Sequence, residues 1–244
     1  MWVDVDQHST EWLQMRTGMI TASRVFDVVA RLKRNSTNGK VGDYKAGHHN
    51  YLVEIVCEQL TGRAAERYVT EWMQRGIEDE EAARLAYEES TGAMVTNGGF
   101  AIHDDIEWFG ASPDGLVDDN GLLELKNRKV ENHYDILVGG EIPEEYIWQM
   151  NAQLACMPER EWVDYGSYCK EMKAKELRLF VRRHYRDKER IKQVEDEVLS
   201  FQAEIAAALL KLTEAHPILT AKPVLGDLSE VLASGVSEVG QGVK

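Results

Sequence analysis

A chain of 244 residues, 43% hydrophobic and 29% charged, can bury a core as one large domain or two small ones, and its composition excludes collagen-like and wholly disordered classes. No apolar run approaches the ~20 residues that span a bilayer, and the start Met1-Trp2-Val3-Asp4 lacks the regions of a signal peptide, so the expected setting is the cytoplasm with no membrane partner. The formal charge of −14 argues against a surface that coats nucleic acid indiscriminately, yet Lys and Arg concentrate at Arg24 to Lys45, Lys126 to Lys129 and Lys170 to Lys192, enough for an enclosed basic groove.

In chain order, Ser23 is a candidate N-cap for a short helix with Val25, Val28 and Val29 on its apolar face, followed by a polar loop at Asn35 to Gly39. Tyr51, Leu52, Ile55, Val56 and Leu60 keep a helical period that stops at Thr61-Gly62, and a second helix is expected from Thr70 to Thr91-Gly92. Short β-prone runs follow at Ala93 to Val95, Phe100 to His103 and Trp108 to Ala111, then Leu122 to Lys126 after the turn Asp119-Asn120-Gly121. Pro143 opens a helix through Tyr146 to Cys156, and Trp162 to Tyr168 and Leu177 to Val181 are strand candidates. Ile191, Val194, Val198, Phe201, Ile205, Ala208 and Leu212 form a stripe at helical spacing, expected to pack on the body. One domain over 1–216 is expected: a helical part over 10–92, a sheet core over 93–184 and a long helix over 187–214, with 217–244 as a flexible tail. Cys57, Cys156 and Cys169 have no C-x-x-C spacing and read as buried thiols.

The chemistry concentrates between Gly110 and Lys126. A carboxylate stands at the turn Ser112-Pro113-Asp114, an acidic tip follows, and Glu124-Leu125-Lys126 lies on a strand. Period two puts Glu124 and Lys126 on one side, with Leu123 and Leu125 toward the core. A hairpin about Asp119-Asn120-Gly121 brings Asp114 beside Glu124, and two carboxylates that close suit a hard divalent cation. Phosphodiester cleavage needs such an ion and a cation to place the nucleophile, and Lys126 supplies the latter. The plain reading of the same residues is an ordinary hairpin with an exposed Glu–Lys pair. A calcium-binding loop ending at Glu124 fails in register, because it sets Asp118 where the sharp turn needs glycine.

These residues resemble the signature of the PD-(D/E)XK nuclease superfamily, and Glu11 to Val181 resembles one branch of it, the lambda-type phage exonucleases or YqaJ viral recombinase family. Trp12-Leu13 and Arg16-Thr-Gly-Met-Ile-Thr-Ala-Ser23 resemble the motif whose Arg and Ser bind the terminal 5′-phosphate, which implies Arg16 and Ser23 in that role. Arg75-Gly76 with the following acids resembles the family's Gly and active-site Glu, which implies Glu80, with Glu81 and Glu78 as register alternatives. Asp104 matches a further acidic residue, with Asp105 its neighbour. Asp114, Glu124 and Lys126 match the catalytic trio, the Leu125 carbonyl a third metal ligand, and Ser112 a phosphate-pocket serine. In Tyr146 to Gln153 the chain departs from the family: the phosphate-contacting glutamine aligns with Asn151. Gln149 and Gln153 share a helix face from which Asn151 points away, and geometry favours those two for the phosphate. Met73 is a candidate wedge between end bases, or plain core.

The resemblance implies an α/β fold with a mixed central β-sheet flanked by helices. It implies a 5′-to-3′ exonuclease that uses Mg2+, with Mn2+ as substitute, to digest one strand of linear double-stranded DNA from a 5′-phosphorylated end, releasing mononucleotides and leaving 3′ overhangs. A homotrimeric ring and a single-strand annealing protein are the implied partners. The alternatives are an endonuclease of the same superfamily and a non-catalytic DNA-end-binding module.

Overall fold

The computed structural model describes residues 1–35, 37, 39–65 and 79–216, so the expectations placed on Met73, on Gly76 and Glu78, and on the 217–244 tail lie outside the described residues. The strand-prone runs build two mixed sheets. One has the order β1 (Trp2–Val3), β4 (Phe100–Ile102), β5 (Phe109–Ala111), β2 (Ile20–Thr21); the other runs β3 (Val95–Thr96), β6 (Gly115–Val117), β7 (Gly121–Asn127), β8 (Trp162–Tyr168), β9 (Leu179–Tyr185). Pairing is antiparallel except for β2 with β5 and β7 with β8. Strands β1 and β2 are only two residues long, too short to show an alternation.

Seven α-helices occur among the described residues: α1 (Thr10–Arg16), α2 (Val25–Val29), α3 (Ala46–Thr61), α4 (Glu80–Thr91), α5 (Val130–Gly139), α6 (Glu144–Cys156) and α7 (Lys188–Ala215). Helix α5 lacks a side-chain cap and has no counterpart among the sequence expectations. Ser9 caps α1 by accepting from the Trp12 amide, and Asp187 caps α7. Ser23, in contrast, lies inside one turn of 3-10 helix, Ala22–Arg24, and caps neither that turn nor α2. Pro143 stands at the N-cap of α6, where its missing N–H costs nothing. No helix among the described residues is long and apolar enough to cross a membrane.

The second sheet is covered on both faces. Leu123 and Leu125 pack with Ala83 and Tyr87 of α4, while Leu122, on the opposite face, joins the larger core with Met150 and Leu154 of α6. Helix α7 closes that core with Val194, Val198, Phe201 and Ile205, then Leu209 in place of the expected Ala208 and Leu212, because a 3.6-residue period drifts off a heptad. Cys156 and Cys169 are buried, but Cys57 is exposed, contrary to the expectation, since it lies on the outer side of α3 from Tyr51 and Ile55.

The chain passes from one sheet to the other with no helix between at two places, Asn97 to Gly99 and Ser112 to Asp114, and these two crossings touch. A Cβ on Gly98 would lie 1.8 Å from the Pro113 carbonyl oxygen, so only glycine fits there. Gln7 Nε2 donates to that same oxygen (2.6 Å), Trp2 Nε1 to Gly98 O (3.0 Å) and Ser112 Oγ to Gly99 O (2.7 Å). Overpacking of this kind costs about 1–3 kcal/mol or more. Gly98→Ala is therefore expected to lower the unfolding free energy obtained from urea titration by that amount; an unchanged value would show that the crossings are not in forced contact.

Candidate active site

The second crossing delivers Asp114 to the edge of β7. Its amide donates to Leu123 O (3.0 Å), and its Oδ2 accepts from the Leu125 amide (2.6 Å), so backbone and side chain are both fixed by the one strand. Glu124 and Lys126 project from the opposite face to Leu123 and Leu125, as alternation requires, and Lys126 Nζ contacts Glu124 Oε1. Glu124 is 0% exposed, which removes the plain reading of an open Glu–Lys hairpin.

A fully buried carboxylate is costly unless donors surround it. Here α6 supplies them: Gln149 Nε2 donates to Glu124 Oε1 (2.7 Å) and Gln153 Nε2 to Oε2. Sequence reading set these two glutamines at a phosphate; in the structure the amide nitrogen of each meets Glu124 instead. Asn151 does point away, with its Nδ2 against Ile147 O (2.8 Å) and His184 Nε2 (2.9 Å).

Burial pushes the Asp114 carboxyl well above the usual carboxylate range; the charges of Glu124 and Glu80 push the same way, outweighing Lys126 and the Leu125 amide. For Lys126, burial alone favours loss of the proton, but Glu124 and Asp114 hold it as an ammonium with its pKa above the ordinary value. Burial raises the neighbouring Tyr146 phenol to about 12 in spite of Arg128 and Lys126. Glu80 opens α4 with its Oε2 3.7 Å from His8 Nε2, near enough to bear on Asp114, whereas Glu81 faces solvent.

Asp104 does not join this group. Because Ala101 pairs with Ala111 and Ile102 with Gly110, Ser112 to Asp114 leave one end of the β4–β5 hairpin and Asp104 with Asp105 the other. Asp104 is exposed and paired with the Met1 ammonium (2.6 Å), which lowers its pKa. Ten residues of sequence separation here span a hairpin rather than closing a site.

The oxygen donors fit a hard cation. Asp114 and Glu124 are carboxylates that repel one another, and the Leu125 carbonyl shares the strand edge of its N–H, the edge that meets Asp114. Gln153 Oε1, buried with no partner, is a further neutral oxygen beside the pair. Among the described residues no three His, Cys, Asp or Glu side chains form a cage.

A second cluster adjoins the first through Ser112. Arg16 Nη2 lies 3.4 Å from Ser23 Oγ, and the Arg16 guanidinium lies 4.2 Å over the Trp12 ring. Trp12 Nε1 in turn donates to Ser112 Oγ (2.8 Å). Ser112 spends its only proton on Gly99 O, so it holds the crossing and is not free to donate to a phosphate; this corrects its expected role. Trp12 is the residue whose part sequence reading left unassigned. The i,i+4 spacing of Trp12 and Arg16 was the available signal.

Residues 11–159 match the model of the YqaJ-like viral recombinase domain. An alkaline exonuclease, LHK-Exo, from Laribacter hongkongensis is similar in structure at a TM-score of 0.77 and 37% sequence identity, with 86% of this chain and 100% of that chain covered. The same enzyme in complex with dAMP gives 0.76 at the same identity and coverage. A phage-related exonuclease from Haemophilus somnus 129PT shares the fold at a TM-score of 0.61 and 14% identity, covering 80% of this chain and 96% of that one. No curated protein sequence matches the chain.

A carboxyl with a raised folded pKa keeps its proton in the fold while the unfolded chain ionises. Stability of the metal-free protein therefore falls as pH rises from about 3.9, the unfolded Asp value, through the raised folded pKa of Asp114. Asp114→Asn is expected to melt above the wild type at neutral pH in EDTA, with the difference vanishing below about pH 4. Parallel melting curves across that range would refute the strain assigned to Asp114.

Proposed function

The chain belongs to the family of YqaJ-like viral recombinase domains, and on that premise we propose that it is a Mg2+-dependent exonuclease. It digests one strand of linear duplex DNA from a 5′-phosphorylated end, in the 5′-to-3′ direction. The observation that carries this reading is the buried Glu124 carboxylate, set by Gln149, Gln153 and Lys126 beside Asp114. A fold-stabilising hairpin has no need of a charge in that position. The similarity to an alkaline exonuclease over the whole of that enzyme's length supports the same class of activity.

Asp114, Glu124 and the Leu125 carbonyl would hold Mg2+, or Mn2+ in its place. When bound, the ion supplies positive charge to the phosphoryl oxygens and acidifies a water. The chain's own groups do the remainder. Lys126, held as an ammonium, orients the water nucleophile and offsets negative charge gathering on the phosphate. Glu80, at the start of α4, accepts a hydrogen bond from that water. Attack forms a P–O bond to the water oxygen and breaks the bond to the 3′-oxygen, releasing a 5′-mononucleotide. Gln149 and Gln153 keep Glu124 from rotating, so they act through it. Arg16, held over the Trp12 ring, offers a planar fork to the terminal 5′-phosphate, with Ser23 as a second donor. A homotrimeric ring with its basic residues toward the DNA would reconcile binding with a charge of −14, and the resulting 3′ overhang suits a single-strand annealing partner.

Linear duplexes with 5′-phosphate or 5′-hydroxyl ends, and a closed circle, incubated with and without Mg2+, test this. Only the phosphorylated linear duplex should be consumed rapidly, and only with Mg2+. Lys126→Ala should lower kcat by about 100-fold or more, the scale of a lost electrostatic stabiliser. Indifference to end chemistry would remove the roles of Arg16 and Ser23; cutting of the circle would favour an endonuclease, and full function in Lys126→Ala a non-catalytic end-binding module.

A further inference from the structure

Arg128 belongs to neither cluster. It follows β7 directly, and its amide donates to Tyr168 O (2.7 Å), which extends the ladder and keeps Arg128 in phase with Glu124 and Lys126. At the rise of a strand it stands roughly 6.6 Å beyond Lys126, about the spacing of successive phosphates along a nucleotide strand. The two cations share one aromatic wall: the Tyr146 ring centre is 5.4 Å from Lys126 Nζ and 4.9 Å from the Arg128 guanidinium carbon.

The carboxylate that acts on Arg128, that of Glu145, does so from beyond ion-pair distance. Arg24, Arg31, Arg182 and Arg183 each hold a carboxylate, but no carboxylate lies within ion-pair distance of Arg128 among the described residues. Its partners are two phenols: it lies over Tyr146, and its Nη2 donates to the Tyr165 hydroxyl (3.3 Å). Its Nε is buried with no hydrogen-bond partner. A half-buried guanidinium whose direct contacts are neutral phenols is stabilised by an anion at its exposed side. Position says which one. Of the two phosphates that flank the scissile one, the terminal one is assigned to Arg16 and Ser23, which leaves the internal one for the cation next along β7 from Lys126.

We propose that Arg128, braced by Tyr146 and Tyr165, binds the next internal phosphate of the strand being cut, the linkage that follows the scissile one. This rests on reading Asp114, Glu124 and Lys126 as the cleavage site.

A 5′-phosphorylated linear duplex is prepared in two forms, unmodified and with a neutral methylphosphonate at the linkage between the second and third nucleotides. Wild-type protein should process the modified strand at its first step about 10–100-fold less well, the worth of a charge-assisted hydrogen bond, mainly through KM. Arg128→Gln should show a similar loss on unmodified DNA and no further loss on the modified duplex. The plot of log affinity against log salt should be shallower for Arg128→Gln by about 0.9, one phosphate contact, and restored in Arg128→Lys. A purely structural Arg128 would lower the melting temperature without moving the salt slope or the methylphosphonate effect. Equal discrimination by wild type and Arg128→Gln overturns the proposal. So does indifference of the wild type to the methylphosphonate, a result that needs no variant to fold. If wild type does not digest even unmodified DNA, the nuclease reading fails first and the assignment of Arg128 falls with it.

Discussion

A carboxylate with no contact with solvent governs the arrangement of this molecule. Glu124 sits in the middle of β7, which is paired with β8 along its whole length, and the elements around it answer to the cost of that charge. Helix α6 lies across the strand with two glutamines one turn apart, each giving its amide to one carboxylate oxygen, while Lys126 neutralises the charge from the same face. The apolar residues beside those glutamines, Met150 and Leu154 among them, bind the helix to the core, so the packing that stabilises the fold also fixes the carboxylate. Removing one donor would leave a buried charge short of partners, a larger penalty than losing an exposed hydrogen bond.

Asp114 is held differently, by its own backbone. The close contact of Gly98 with Pro113 sets the direction of the chain as it enters the second sheet, and the Leu125 amide then takes the side chain. One carboxylate is thus positioned by a helix and the other by a crossing, and β7 joins the two supports. Helix α4, which brings Glu80, is tied to the same sheet by a third connection: the Tyr87 hydroxyl donates to Asp164 (2.7 Å), itself gripped by Arg183.

Local pattern carried much of this arrangement. Alternation placed Glu124 and Lys126 together, the Asp119-Asn120-Gly121 turn brought Asp114 back, and the helix ends at Thr61-Gly62 and Thr91-Gly92 fall where turn chemistry sets them. What pattern could not carry was the partner of each polar group. Gln149 and Gln153 have the same spacing whether they face a phosphate or a buried carboxylate, and only the docking of α6 on β7 decides. Ser112 reads as a free hydroxyl until Gly99 and Trp12 are brought to it from other parts of the chain. Asp104 failed for the converse reason: spacing along a chain says nothing about which end of a hairpin a residue occupies. Strands β1 and β2 exist only because β4 and β5 are there to pair with.

The Trp12–Ser112 hydrogen bond has a metrical consequence. Arg16 lies over Trp12, Trp12 is bonded to Ser112, and Ser112 is two residues from Asp114 in the chain. On the proposed function, the distance from the gripped DNA end to the cleaved bond is then a fixed length built from covalent geometry and one aromatic ring. Such a gauge makes the protein count in nucleotides: each turnover removes the same increment, whatever the sequence passing through.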